Sequence, residues 1–305
     1  MDRTNFELPD FFLEMLNKQY GRELTNRILE GYSKKRAVSL RVNTLKSNIN
    51  TIKNKLLDEE IQFETVSWND NALIIKNTNE KTIQNMDIYS KGEIYLQSLS
   101  SMLPPIILEP KENTDILDMC AAPGGKTTQI AAITNNNANI TACEVNKIRA
   151  ERLKYNIEKQ GANSIYIMTK DARFIDDFFS FDQILLDAPC SGSGTLNCND
   201  KKLSEIFTMK LINKSVSSQL LLLRKGIKIL KPGRELVYST CSILSDENED
   251  VVSKVLKETG AEIVPIEFEG KNKLPLLPVK IAGTLCICPN EYYEGFFVAK
   301  IRKKK

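Results

Sequence analysis

The chain has 305 residues, enough for one large domain or two smaller ones, and its 42 Lys+Arg against 39 Asp+Glu leave a formal charge of only +3. Any nucleic-acid binding must therefore rest on a local basic patch and not on the field of the whole molecule. There is no histidine, which excludes Ser-His-Asp and Cys-His catalysis, HExxH metal sites and histidine-ligated haem, and leaves Cys, Asp, Glu, Lys and Tyr for acid-base work.

Residues 3 to about 35 carry Phe11, Met15, Leu16, Leu24, Ile28 and Leu29 at helical spacing, with Gly21 as a break between two helices. A short strand is predicted over Leu40 to Leu45, a helix over Ile49 to Leu57, and strands over Gln62 to Val66 and Ala72 to Ile75. This β-α-β-β run predicts a small α+β unit ahead of the main domain, and its Arg41 is read either as scattered surface charge or as a phosphate contact. Tyr95 to Leu108 is helix-like and closed by Pro110, and the polar stretch Lys111 to Thr114 follows. The boundary is placed so that residues 1–95 form the N-terminal region and residues 96–305 the main domain.

Strand and helix then alternate, which predicts a mostly parallel sheet with helices on both faces. Asp115 to Met119 is the first strand. The small residues Cys120-Ala121-Ala122-Pro123-Gly124-Gly125 and then Lys126 lead into a helix, so that a ligand could lie on the helix N-terminus; the stretch fits neither a P-loop nor GxGxxG. Ile140 to Cys143 ends at Glu144, Asn146 caps a helix lined by Ala150, Leu153 and Ile157, and Gly161 stops it. A carboxylate ending the second strand suits a ribose diol. Ile165 to Met168 leads to Asp171, and Ile184 to Leu186 leads to Asp187, so three successive strand ends carry acids that point to one crevice.

Asp187-Ala-Pro-Cys190 is followed by a Ser/Gly-rich turn and then by the most basic stretch of the chain: Lys201, Lys202, Lys210, Lys214, Arg224, Lys225, Lys228 and Lys231 against Asp200 and Glu205. Its second half is an amphipathic helix whose charged side is either merely solvated or a track for phosphates. After Pro232-Gly233, the strand Glu235 to Ser239 ends in Thr240-Cys241-Ser242. Ser245 is the predicted cap of the next helix, with Asp246, Glu247, Glu249 and Asp250 serving its dipole. Strands near Ile263, Thr284 to Cys288 and Gly295 to Ile301 close the chain with an antiparallel pair.

Seven cysteines, Cys120, Cys143, Cys190, Cys198, Cys241, Cys286 and Cys288, form no disulfide framework. With no signal-peptide region behind Met1 and no bilayer-length apolar run, a soluble cytoplasmic protein without membrane contact is expected. Cys286-x-Cys288 is read as strand and not as a zinc pair, so no metal is expected. Cys190 and Cys241 both follow strands that one crossover should make neighbours, which places two thiols in one crevice and points to covalent chemistry.

The motifs CAAPGGKT, DAPCSGSG and LVYSTCS, with SLRVNTLK and YLQSLSSMLP upstream, resemble the RNA (cytosine-5)-methyltransferases of the Nop2/Sun and bacterial RsmB/RsmF type, over nearly the whole chain. The resemblance implies a class I S-adenosylmethionine-dependent methyltransferase fold, Rossmann-like, behind a small RNA-recognition-like domain. It implies cofactor binding by Cys120, Ala121, Ala122, Pro123, Gly124, Gly125, Lys126, Glu144, Arg149, Asp171 and Asp187. It also implies that Cys241 attacks C6 of cytosine, Cys190 promotes release and Asp187 partners the base at N3; Lys126, if its ammonium approaches the thiol pair, would lower a thiol pKa. The partner would be tRNA or rRNA, and the default oligomeric state is a monomer. Two departures stand out: Arg234 replaces a glycine of the family's turn, and Asn197 to Lys202 replaces a basic, tryptophan-bearing segment. No added C-terminal RNA-binding domain is seen. The alternatives are another RNA or DNA as substrate, a catalytically idle RNA-binding or ribosome-assembly factor, and a thiol-based redox sensor, the last lacking any CxxC couple.

Overall fold

A computed structural model of the chain describes residues 8–197 and 203–305. Residues 3–7 of the first expected helical stretch, and Cys198, Asp200, Lys201 and Lys202, lie outside the described residues. Helix α1 (Asp10–Ser33) is bent at Gly21, whose φ of 75° and ψ of 168° interrupt it at the predicted break. A four-stranded antiparallel sheet follows, β1 (Val38–Val42), β2 (Phe63–Val66), β3 (Asn69–Ile75) and β4 (Ile94–Leu96), in the order β2-β3-β1-β4. Helix α2 (Ile49–Asp58) lies between β1 and β2. It starts where Asn48 accepts the Thr51 N–H at 3.0 Å, and it buries Ile52 and Leu56 in one core with Leu40, Leu73 and Ile75. Helices α3 (Glu80–Gln84) and α4 (Asp87–Ser90) are too short to carry a periodic signal and escape sequence prediction.

Two boundaries are corrected. The strand predicted over Leu40 to Leu45 ends at Val42, because Asn43 Oδ1 accepts the Leu45 N–H at 3.1 Å and turns the chain. The helix predicted from Tyr95 begins at Leu99, behind the cap Ser98; Tyr95 and Leu96 belong to β4 and pair with β1. Arg41 is neither surface charge nor free for a phosphate: it is 3% exposed and donates to Gln97 Oε1 (3.0 Å), Thr128 Oγ1 (3.2 Å) and the Gly125 carbonyl (3.3 Å). Burial pushes its pKa down to about 10.

Helix α5 (Leu99–Leu108) leads into the large sheet. In chain order come β5 (Asp115–Asp118), α6 (Gly125–Ile133), β6 (Asn139–Cys143), α7 (Lys147–Gln160), β7 (Ile165–Met168) and β8 (Phe181–Asp187). They are followed by α8 (Leu203–Ile206), α9 (Met209–Ile229), β9 (Leu230–Thr240), α10 (Glu249–Thr259), β10 (Glu262–Val264), β11 (Leu276–Leu277), β12 (Leu285–Ile287) and β13 (Phe296–Arg302). Strands β7-β6-β5-β8-β9 run parallel; β13 joins β9 antiparallel and is followed by β12 and β11, while β10 pairs with the far end of β13. The sheet is mostly parallel and Rossmann-like, as expected.

Side-chain alternation covers both of its faces. Leu117, Ile184, Leu236 and Tyr238 share a core with α1, α9 and α10, whereas Ile116, Leu185 and Val237 share another with α5, α6 and α7. Helix α1 enters the first of these through Phe12, Leu16, Ile28 and Tyr32, so it is anchored to the large sheet and not to the small one. Asn146 and Gly161 delimit α7 as predicted. The cap predicted at Ser245 is corrected: α10 starts at Glu249, and Ser245 Oγ accepts from Lys280 Nζ at 2.9 Å. No helix among the described residues is long and apolar enough to cross a membrane.

Candidate active site

Strands β8 and β9 are neighbours with Asp187 opposite Ser239, so their exits from the sheet lie side by side. The Ala188 N–H bonds the Ser239 carbonyl (2.8 Å) and the Gly194 N–H bonds the Cys241 carbonyl (2.9 Å). Between these two stitches the thiols meet: Cys190 Sγ and Cys241 Sγ are 3.1 Å apart, both free and both half-buried. The turn needs glycine at 194 because a Cβ there would stand 2.0 Å from the Gly295 carbonyl oxygen. What approaches this glycine is the protein's own chain.

Lys126 reaches Asp187 from the first turn of α6. Its Nζ is 2.8 Å from Asp187 Oδ2, donates to Ser101 Oγ at 2.7 Å and lies 5.5 Å from the centre of the Phe296 ring. Ser239 Oγ donates to the other Asp187 oxygen at 2.7 Å. Burial works to lower the Lys126 pKa, but the Asp187 carboxylate outweighs it and the net shift is upward, so the cation persists. The expectation that Lys126 depresses a thiol pKa is not met at Cys190. The hydrogen bond to Cys241 foremost, then burial and the charges of Cys241 and Glu247, push that thiol well up, and Cys190 keeps its proton at neutral pH.

The loop of Cys120, Ala121, Ala122, Pro123, Gly124 and Gly125 joins β5 to α6. It is pinned by the Ala121 N–H on the Cys143 carbonyl (2.9 Å), and Gly124 adopts a φ of 110°. Beneath it Asp118, 1% exposed, accepts from Thr127 Oγ1 (2.7 Å) and the Cys120 N–H (3.3 Å). Burial raises its carboxyl to about 6, with the Thr127 bond opposing and the Asp187 charge reinforcing the shift. Burial first, then the charges of Asp118, Asp187 and Glu144, push the Cys120 thiol well up, which leaves it neutral and no nucleophile. Glu144, 4% exposed, accepts the Asn146 N–H at 2.8 Å and faces Arg149 at 3.3 Å; Arg149 also donates to the Ala122 carbonyl at 2.7 Å and so braces the loop. Asp171 is engaged by Arg173, which holds its carboxyl below the ordinary range.

Direct contact thus unites Cys190 with Cys241 and Lys126 with Asp187 at the ends of neighbouring strands, and Arg149 links Glu144 to the small-residue loop, whereas Asp171 is occupied with its own neighbour. Asp118 is missed by the sequence reading although it obeys the rule that selected the other acids, a carboxylate ending a buried strand. Glu247 is missed for a different reason. It is expected only to serve a helix dipole, yet it is fully buried and accepts from the Ser191 N–H (2.7 Å), Ser191 Oγ (2.5 Å) and Ser242 Oγ (2.6 Å). Such burial is set by tertiary packing and leaves no local signal. The four strand-end carboxylates against Lys126, Arg149 and Arg173, together with a small-residue loop, suit a ligand that carries a positive charge and a ribose diol.

The basic segment offers less than its composition promises. Arg224 pairs with Glu258 at 2.6 Å, Lys225 and Lys228 both pair with Asp177, and Lys231 sits 2.8 Å from Asp182. The phosphate track is therefore corrected at these four positions, whose charges are already met by carboxylates; Lys210 and Lys214 remain exposed. Among the described residues no cluster of three Cys, Asp or Glu side chains is arranged to hold a metal.

Residues 105–302 match the family model described as 16S rRNA methyltransferase RsmB/F, and residues 8–80 match the ferredoxin-like domain of the same family. The chain is 34% identical over 276 residues to the tRNA (cytosine(49)-C(5))-methyltransferase of Pyrococcus abyssi, covering 88% of each. It is 34% identical over 312 residues to ribosomal RNA small subunit methyltransferase F of Vibrio parahaemolyticus, and there it covers 98% of its own length but 64% of that protein's. A crystal structure of a methyltransferase homologue from Pyrococcus horikoshii superposes with a TM-score of 0.81 at 32% identity, covering 97% of this chain and 100% of the other.

Proposed function

The chain belongs to the RsmB/F methyltransferase family, and on that premise we propose that it methylates C5 of a cytosine in structured RNA, tRNA or rRNA, at the expense of S-adenosylmethionine. The observation that carries this reading is the 3.1 Å apposition of Cys190 and Cys241 beside the Lys126–Asp187 pair in a protein without histidine. Residues 1–95 would guide the RNA and residues 96–305 would perform the chemistry.

S-adenosylmethionine, when bound, supplies an electrophilic methyl group. The loop from Cys120 to Gly125 and Lys126 would hold its methionine end, Glu144 braced by Arg149 its ribose, Asp171 its adenine side, and Asp187 the region between cofactor and base. C5 of cytosine is a weak nucleophile until a sulfur adds to C6, and Cys241, at the end of β9, is the attacking thiolate. Asp187, fixed by Lys126 and Ser239, partners the base at N3. After transfer a base takes the C5 proton and the C6–S bond breaks. The Cys190 thiol, still protonated and 3.1 Å away, donates its hydrogen bond to the departing Cys241 sulfur. The target base must leave any helix it occupies, a step worth a few kcal/mol that becomes easier in looped RNA.

Labelled S-adenosylmethionine with separate tRNA and rRNA pools, followed by nucleoside analysis, is the test. 5-Methylcytidine in one pool names the substrate, and its absence from both overturns the enzymatic reading in favour of an RNA-binding factor. Cys241→Ala should abolish methylation and covalent capture of RNA alike, whereas Cys190→Ala should let a protein–RNA adduct accumulate. Capture by the Cys241→Ala variant would reverse the two roles.

A further inference from the structure

Building on the reaction just proposed, we infer that Glu247 is a positioning residue for Cys190: through Ser191 and Ser242 it locks the turn after β8 onto the turn after β9, and so keeps the Cys190 thiol facing Cys241.

Cys190 sits in a short span whose supports lie on either side of it. Upstream, the Pro189 carbonyl accepts from Gln219 Nε2 at 2.9 Å; downstream, both the N–H and the hydroxyl of Ser191 donate to Glu247. Gln219 Nε2 also lies 3.4 Å from Glu247 Oε1, so both supports converge on one carboxyl group. Cys241 has other anchors. It directly follows the β9–β13 pairing of Thr240 with Phe297, and Asn248 holds Thr240 Oγ1 (2.5 Å) and the Ser242 carbonyl (2.9 Å). Loss of Glu247 therefore removes both of Ser191's bonds next to Cys190, whereas next to Cys241 it removes only the Ser242 hydroxyl bond and leaves the Asn248 anchors and the β13 pairing in place.

The protons run in one direction. Ser193 Oγ accepts the Ile243 N–H (3.0 Å) and Ser242 Oγ accepts the Leu244 N–H (3.1 Å). Since Ser242 donates to Glu247 (2.6 Å), the 2.7 Å contact between the two serines must be Ser193 donating to Ser242. One carboxyl oxygen thus receives two hydroxyls and the other an amide N–H and a side-chain amide, so all four bonds favour the charged carboxylate, while burial works against it and the net shift of its pKa is upward. Among the described residues no Lys or Arg pairs with it. A buried carboxylate without a cation is a poor device for stability alone, whereas one that gathers donors from both thiol turns fixes their geometry.

The experiment compares Glu247→Ala and Glu247→Gln with wild type and Cys190→Ala, measuring S-adenosylmethionine affinity, single-turnover methyl transfer and covalent RNA adduct on denaturing gels. Glu247→Ala should bind the cofactor and transfer methyl but release RNA on the order of 100-fold more slowly, the usual effect of displacing a reacting group by about 1 Å. Adduct then accumulates as it does in Cys190→Ala, and Glu247→Gln, which keeps one acceptor oxygen, falls between. Normal release by Glu247→Ala, or equal loss of transfer and release without adduct, would reduce Glu247 to a structural role and overturn the inference. If Cys190→Ala itself accumulates no adduct, the underlying reaction scheme has failed instead. Should Glu247→Ala not fold, Ser191→Ala removes a single bond of the clamp and must shift release in the same direction, or the inference falls.

Discussion

Replacing Asp118 with asparagine should remove a pH dependence from the stability of the protein. The carboxyl is buried under the Cys120–Gly125 loop, and its pKa rises from 3.8 to about 6, chiefly through burial. Between those two values the folded chain binds more protons than the unfolded chain, so stability falls as pH rises. The contribution is fully present below 3.8 and is lost as pH climbs through about 6. At 1.36 kcal/mol per unit this amounts to about 3 kcal/mol across the window. Asparagine keeps an oxygen for the Cys120 N–H and can donate its amide to Thr127 Oγ1, so the shape of the site survives. Urea unfolding of both proteins at a series of pH values would show the wild type losing stability relative to Asp118→Asn as pH rises from 4 towards 7. Two stability curves that run parallel across this window would refute the assignment of a buried, titrating carboxyl at this position.

Lys126→Met leaves Asp187 with only the Ser239 bond on a side chain 27% exposed; the loss should be about 2 kcal/mol, short of the figure for a fully buried pair, and cofactor affinity by calorimetry should fall with it. Unchanged stability and affinity would show that the pair holds nothing in place. Gly194→Ala drives a methyl group to 2.0 Å from the Gly295 carbonyl oxygen and should lower stability by about 3 kcal/mol or more, since backbone on both sides must move. A melting temperature within a degree or so of wild type would mean that the turn yields freely.

What could be read from the residues divides along a physical line. Strand ends and helix caps are local, and so Glu144, Asp171, Asp187, Asn146 and Gly161 fall where periodicity and turn chemistry place them. The neighbouring of Cys190 and Cys241 was also legible, because one crossover helix between parallel strands leaves little choice of topology. Asp118, at the end of β5, obeys the strand-end rule as well. Charge was the least readable property. Arg41 looks like surface charge until β1 packs on the start of α6, Lys225, Lys228 and Arg224 of α9 look free until Asp177 and Glu258 arrive from elsewhere, and Glu247 looks like a helix cap until Gln219, Ser191 and Ser242 close around it. Each of these depends on at least one partner from a distant segment, which no window of sequence contains.

Strand β9 owes its place inside the sheet to β13, which pairs with it from Thr240 opposite Phe297 to Glu235 opposite Arg302. A ribosome makes β9 well before β13. In that interval Leu236 to Thr240 forms an apolar edge with unpaired N–H and C=O groups, a template on which another nascent chain could dock. The arrival of Phe296–Arg302 removes that edge and, with the Gly295 N–H bonding the Gly194 carbonyl at 2.8 Å, seats the turn beside Cys190. Protection from aggregation and completion of the thiol pocket are thus one event in the birth of the chain, and agents that delay the pairing of β13 should expose the protein to both failures at once.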